Sequence, residues 1–135
     1  MKKKNCAFVF AIILSMTMVG TALASVITYV GSGITSAKWC GSYTKSSSTS
    51  TIHLQTTTLE YDNNGTFTYH YVRAYSPDKV DMYSSKKKVY RGPVTYLNLN
   101  SDGASATSYK LKVENPYYYD LQTSSYPMRF EGTIN

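Results

Sequence analysis

Thr107-Ser108-Tyr109-Lys110-Leu111-Lys112-Val113-Glu114 alternates without a break, and its period of two decides the fold class. Successive side chains of a strand point to opposite faces, so Tyr109, Leu111 and Val113 are expected to face a core and Lys110, Lys112 and Glu114 to face water. Upstream, Ile52 and Leu54 alternate with His53 and Gln55 in a Thr-rich strand that runs to about Tyr61. Asp62-Asn63-Asn64-Gly65 follows, and Asn and Gly accept the positive φ angles of a tight hairpin turn. Thr66 to Ala74 then reads as the returning strand, with Phe67, Tyr69 and Tyr71 on one face and Thr68, His70 and Val72 on the other.

Outward from this centre, Ser76-Pro77-Asp78-Lys79 makes a turn, and short strands are expected near Lys86 to Tyr90 and Val94 to Leu99, separated by Arg91-Gly92-Pro93. Asn100-Ser101-Asp102-Gly103 reads as another turn. Asn115-Pro116 ends the alternating strand, Tyr117-Tyr118-Tyr119 enters a Ser-containing loop, and Tyr126 to Ile134 forms the last strand. No amphipathic helix and no internal repeat is evident. Regular strands between turn signals predict an all-β fold: a single antiparallel β-sandwich or partly open barrel of about six to seven strands.

The amino-terminal side divides in two. Lys2, Lys3 and Lys4 precede an apolar run from Cys6 to Leu14, continued to Ala22-Leu23-Ala24. A basic start, an apolar stretch broken by polar residues and Gly20, and small residues before the scissile bond predict a signal peptide over residues 1–24. Cleavage is expected between Ala24 and Ser25, giving a secreted chain with no transmembrane span. Residues 25–50 are weakly patterned, with a short strand at Val26 to Val30, then Gly31-Ser32-Gly33, and a Ser/Thr-rich loop at Ser46 to Ser50. The β domain is expected over residues 51–135.

Composition agrees with strands. All fourteen Tyr follow residue 24, and Tyr and Thr suit a pleated, half-buried surface. Loss of the signal removes three of fourteen basic residues and none of the eight acidic ones, so a formal +6 becomes +3. That mild charge argues against a nucleic-acid binder built on dense phosphate contacts, while permitting attraction to anionic cell-envelope polymers. Cys40 is the sole thiol once Cys6 departs, which excludes an intramolecular disulfide. Following Trp39 in a strand-like stretch, it is expected to pack as a small hydrophobe.

Catalysis and metal binding find little support. Cys40 with His53 or His70 lacks an evident third orienting group, and the two His have no metal-site spacing. Asp62 to Gly65 and Asp102-Gly103 are turns without a calcium-loop ligand series, and Asn64-Gly65-Thr66 is only a formal glycosylation sequon. No catalytic residue, cofactor or metal ligand is assigned, and a non-enzymatic protein is expected. The candidate interaction surface comprises Lys86, Lys87, Lys88, Tyr117, Tyr118 and Tyr119. The lysines either touch an anionic polymer or protect an edge strand, with Lys86 and Lys88 on one face and Lys87 opposed. The tyrosines either stack on a sugar or another extracellular protein, or close the end of a sandwich.

Val89-Tyr90, the run Tyr109 to Asn115, then Tyr117 and a Ser-rich turn into Tyr126 resemble a family of small signal-peptide-bearing exported proteins of Gram-positive bacteria. That family has no established function, and the resemblance implies secretion and a β domain without catalytic residues. Its members tend toward an aromatic and acidic ending, whereas this chain closes with Phe130-Glu131-Gly132-Thr133-Ile134-Asn135. In its Tyr- and Ser-rich style the chain is also similar to secreted bacteriocins of the lactococcin 972 type. The expected function is surface interaction at or beyond the cell envelope, with a bacteriocin-like antibacterial protein as the alternative and a small extracellular hydrolase third.

Overall fold

A computed structural model describes residues 27–135. The expected signal peptide over residues 1–24 and its cleavage point lie outside the described residues, as does the start of the strand expected from Val26. Eight strands form two four-stranded antiparallel sheets packed face to face, so the fold is a sandwich and not a barrel. They are β1 (Ile27–Ile34), β2 (Ala37–Thr44), β3 (Thr51–Tyr61), β4 (Tyr69–Tyr75), β5 (Lys87–Tyr90), β6 (Val94–Asn98), β7 (Ser108–Glu114) and β8 (Met128–Ile134). Two short helices, α1 (Ser101–Ser105) and α2 (Pro116–Leu121), interrupt them. Among the described residues no helix is long and apolar enough to cross a membrane.

One sheet has the order β1-β8-β3-β6 and the other β2-β7-β4-β5. Only the β4–β5 connection stays within a sheet; every other connection carries the chain across the sandwich. Asp62 to Gly65 is therefore a turn between sheets and not the expected hairpin, although Asn63 and Asn64 do take positive φ, 57° and 62°. β3 finds its partners far away in sequence, in β6 and β8, while β4 pairs with β5 and β7.

The weakly patterned segment 25–50 supplies one edge strand to each sheet. Its pattern is obscured by bulges. In β2 both Cys40 and Tyr43 face inward although three residues apart, because the register shifts between them at Gly41, whose φ of +77° a side chain would strain. β3 behaves alike, with Thr56 and Leu59 both buried across a register shift.

Elsewhere the alternation holds. Tyr109, Leu111 and Val113 of β7 are buried and meet Val72 and Ala74 of β4 in register. Phe130 and Met128 of β8 and Leu54 and Ile52 of β3 close the core from the opposite sheet. A polar seam crosses this core: Tyr29 Oη shares a hydrogen bond with Thr56 Oγ1, which lies 2.9 Å from His70 Nε2. The imidazole stacks on Phe130, with centroids 5.4 Å apart, and its Nδ1 is buried without a partner. Gly132 sits in register between Tyr29 and Thr56, where a Cβ would lie 2.6 Å from the Tyr29 ring.

Both helices replace expected loops, and in each an Asn starts the turn. Asn100 Oδ1 accepts from Gly103 N to begin α1. Asn115 is wholly buried and does more: Oδ1 accepts from Tyr117 N, while Nδ2 donates to the carbonyls of Ile34 (2.9 Å) and Tyr126 (2.8 Å). Pro116 follows at the first helical position, where its missing N–H costs nothing. This one amide ties the β1–β2 turn, the end of β7 and the approach to β8 together.

Candidate binding face

The outer face of the β2-β7-β4-β5 sheet gathers the aromatic and cationic residues. With His70, Val72 and Ala74 turned inward, Tyr69, Tyr71, Arg73 and Tyr75 of β4 project outward as a stripe. Register sets Tyr71 between Glu114 of β7 and Lys88 of β5. Lys112 stands between Trp39 and Arg73 one row along. Tyr69 opposes Tyr90. Helix α2 folds over this stripe, and Asp120 Oδ2 accepts from the hydroxyls of Tyr71 (2.8 Å) and Tyr69 (3.3 Å). Burial and that carboxylate together hold the Tyr71 phenol well above its ordinary range.

The lysines rest on rings. Lys86 Nζ lies 4.4 Å from the Tyr71 centroid and 5.4 Å from that of Tyr119, and Lys88 Nζ lies 4.3 Å from that of Tyr69. Lys112 Nζ is 5.9 Å from Trp39 and 5.7 Å from Tyr119. Such contacts hold an ammonium in place while leaving most of its donors free for an anion. Glu114, expected to face water, is instead buried under these lysines, 3.0 Å from Lys112 and 3.8 Å from Lys86. A carboxylate can be covered here because two ammoniums compensate its lost hydration. Burial pulls the Lys112 ammonium down, but the hydrogen bond and charge of Glu114 outweigh it and the net shift is upward.

Of the six residues singled out from sequence, Lys86, Lys88 and Tyr119 meet on this face. Lys87 points the other way, in register with Val72 at the sheet edge, and is exposed. β5 is an edge strand, so its lysines also oppose pairing with another chain. Tyr117 is buried and structural: its hydroxyl accepts from the backbone amides of Thr66 and Phe67, and its ring packs on Tyr61, Phe67 and Tyr126 to close one end of the sandwich. Tyr118 is exposed and meets Tyr119 edge-on. Sequence reasoning passed over Tyr69, Tyr71, Trp39, Arg73, Lys112 and Asp120; the Tyr69-x-Tyr71 alternation against His70 and Val72 was the available signal.

Cys40 and the two His do not assemble into a site. Cys40 is buried in register with Leu111, and burial pushes its thiol up to about 11, which leaves it protonated and unreactive at neutral pH. Leu111 aligns with Ala74, so His70 lies two strands across the sheet from Cys40 and four residues further along β4, an offset of about 13 Å along the strand alone. His53 sits on the outer face of the other sheet against Tyr96. Among the described residues no group of three His, Cys, Asp or Glu side chains converges to hold a metal.

No protein-family model, curated protein or solved structure matches this chain.

Proposed function

We propose that the chain is an exported, non-enzymatic binding domain that engages an anionic cell-envelope polymer through the outer face of the β2-β7-β4-β5 sheet. The observation that carries this is the seating of Lys86, Lys88 and Lys112 on Tyr69, Tyr71, Tyr119 and Trp39. Arg73 and Lys110 project from the same face and Lys79 lies over Trp39, so six cations stand against the carboxylates of Glu114, Asp120 and, near Lys110, Asp78. Flat rings offer stacking surface to sugar or polyol units, and the ammoniums between them offer charge to the anionic groups of the same polymer. Rigid aromatic anchors with part-immobilised cations bind at a lower entropic cost than free lysines.

The test is co-sedimentation and calorimetric titration of the secreted chain with polyglycerol phosphate and with an uncharged glucan. Binding to the first that weakens steeply with salt, and is reduced at least about tenfold in Lys86→Gln/Lys88→Gln, supports this function. Equal binding to both polymers would overturn it. Mass spectrometry of the culture supernatant is expected to find a chain that begins at Ser25, and a retained full-length product would remove the export step.

A further inference from the structure

A groove of about 480 Å³ opens beside the aromatic stripe, and Arg73, Met82, Ser85, Lys86, Asn98 and Asn100 are among its lining residues. Arg73 is the unusual member. Its guanidinium forms no ion pair with any carboxylate among the described residues. Nη1 is held by Tyr75 Oη (3.3 Å) and Met82 Sδ (2.9 Å), while Nε is buried without a hydrogen-bond partner. A half-buried cation with unspent donors is costly unless an anion compensates it, and a guanidinium presents paired N–H groups suited to tetrahedral oxyanions. The nearby acidic residue cannot serve, because Glu114 is already engaged by Lys112 and Lys86.

The rest of the lining agrees with that chemistry. Lys86 adds a second cation where the groove meets the ring-covered face. Asn98 and the exposed Ser85 add neutral donors, and no acidic side chain lines the groove. A carboxylate holds its two oxygens in one plane, whereas the tetrahedral phosphorus of a diester spreads its two non-bridging oxygens out of any single plane, so that Arg73, Lys86 and a neutral donor can approach from different sides. We propose that this groove seats one phosphoryl group, with Arg73 as its principal ligand, in an assignment that rests on the polymer-binding role above and fixes the polymer as a phosphodiester. Lys86 then links the two regions, one residue serving both the phosphate and the aromatic stripe.

The experiment titrates inorganic phosphate, glycerol 3-phosphate, polyglycerol phosphate and polygalacturonate into the wild-type chain, Arg73→Gln, Arg73→Lys and Lys88→Gln. Far- and near-ultraviolet circular dichroism identifies variants that remain folded. Arg73→Gln is expected to weaken polyglycerol phosphate at least about tenfold, the worth of one charge-assisted hydrogen bond. Arg73→Lys, which keeps the charge and loses the fork, should fall between. Lys88→Gln, outside the groove, should weaken the polymer but leave the small phosphates unchanged. Should Arg73→Gln misfold, Asn98→Ala, at an exposed residue that also lines the groove, replaces it and should weaken the small phosphates. Polymer binding that is indifferent to Arg73 and Asn98 overturns the groove and leaves the aromatic face standing. Small phosphates that bind through Arg73 while no polymer binds overturn the polymer role and leave the groove standing. Equal affinity for polygalacturonate overturns the choice of phosphate over carboxylate.

Discussion

His70 spans the interface between the sheets as a buried, neutral base. Its desolvation lowers the imidazole from an ordinary 6.5 to about 3. Between those two values the unfolded chain holds a proton that the folded chain refuses, so stability is constant above about pH 6.5, falls as the pH drops through the window, and levels off below about pH 3. From pH 7 to pH 4 the loss from this residue is about 3 kcal/mol. Urea unfolding at the two pH values, in wild type and in His70→Gln, should show the difference shrinking by about that amount in the variant. An unchanged difference would mean that another group carries the acid sensitivity. Alternation placed His70 with Val72, opposite the aromatic stripe, but not its burial: Thr56, Tyr29 and His70 meet only because β1, β3 and β4 come from different parts of the chain, and a polar residue reads as exposed until its partners are known.

At the scale of single elements, β7 and the alternation of β4 were legible, while β2 and α2 were not. Leu111→Ala should cost about 2 to 5 kcal/mol through lost burial and a residual cavity, as strict alternation alone implies. The outward lysines, however, are not equivalent. Lys110→Ala should cost about 0.5 kcal/mol or less. Lys112→Ala leaves the buried Glu114 with Lys86 alone at 3.8 Å and should cost roughly 1 to 2 kcal/mol. Thermal denaturation of the three variants decides it, and equal midpoints for Lys110→Ala and Lys112→Ala would show that Glu114 keeps its hydration. Strand β2 evaded the same logic because a bulge at Gly41 resets the period, which places Cys40 and Tyr43 on one side. Helix α2 evaded it because six residues hold too little periodicity to register, although Asn115-Pro116 carried the capping signal.

For the whole molecule, local turn chemistry misled where topology ruled. Asp62 to Gly65 has the residues of a hairpin, yet β3 and β4 belong to opposite sheets, β3 pairing with β6 and β8 and β4 with β5 and β7. The candidate site was partly legible for the same reason: Lys86 and Lys88 were visible as a run, but Lys112, Trp39 and Tyr71 join them only through the sheet order. Residues 51–135 expressed alone would lack an edge strand from each sheet and Tyr29 from the core. That fragment is expected to bind a hydrophobic dye and to unfold without a cooperative transition, measured by fluorescence and calorimetry. A sharp transition at the full-length midpoint would show that β1 and β2 are dispensable.

The pairing of β1 with β8 and of β2 with β7 also bears on how such a chain can be delivered. Threaded through a narrow channel with its amino end leading, the polypeptide emits its first two strands long before either has anything to pair with. Only when the final stretch has passed do both sheets acquire their full complement. If the chain is exported in this way, as proposed above, β1 and β2 would stay unpaired during passage and join their sheets once β8 and β7 are through.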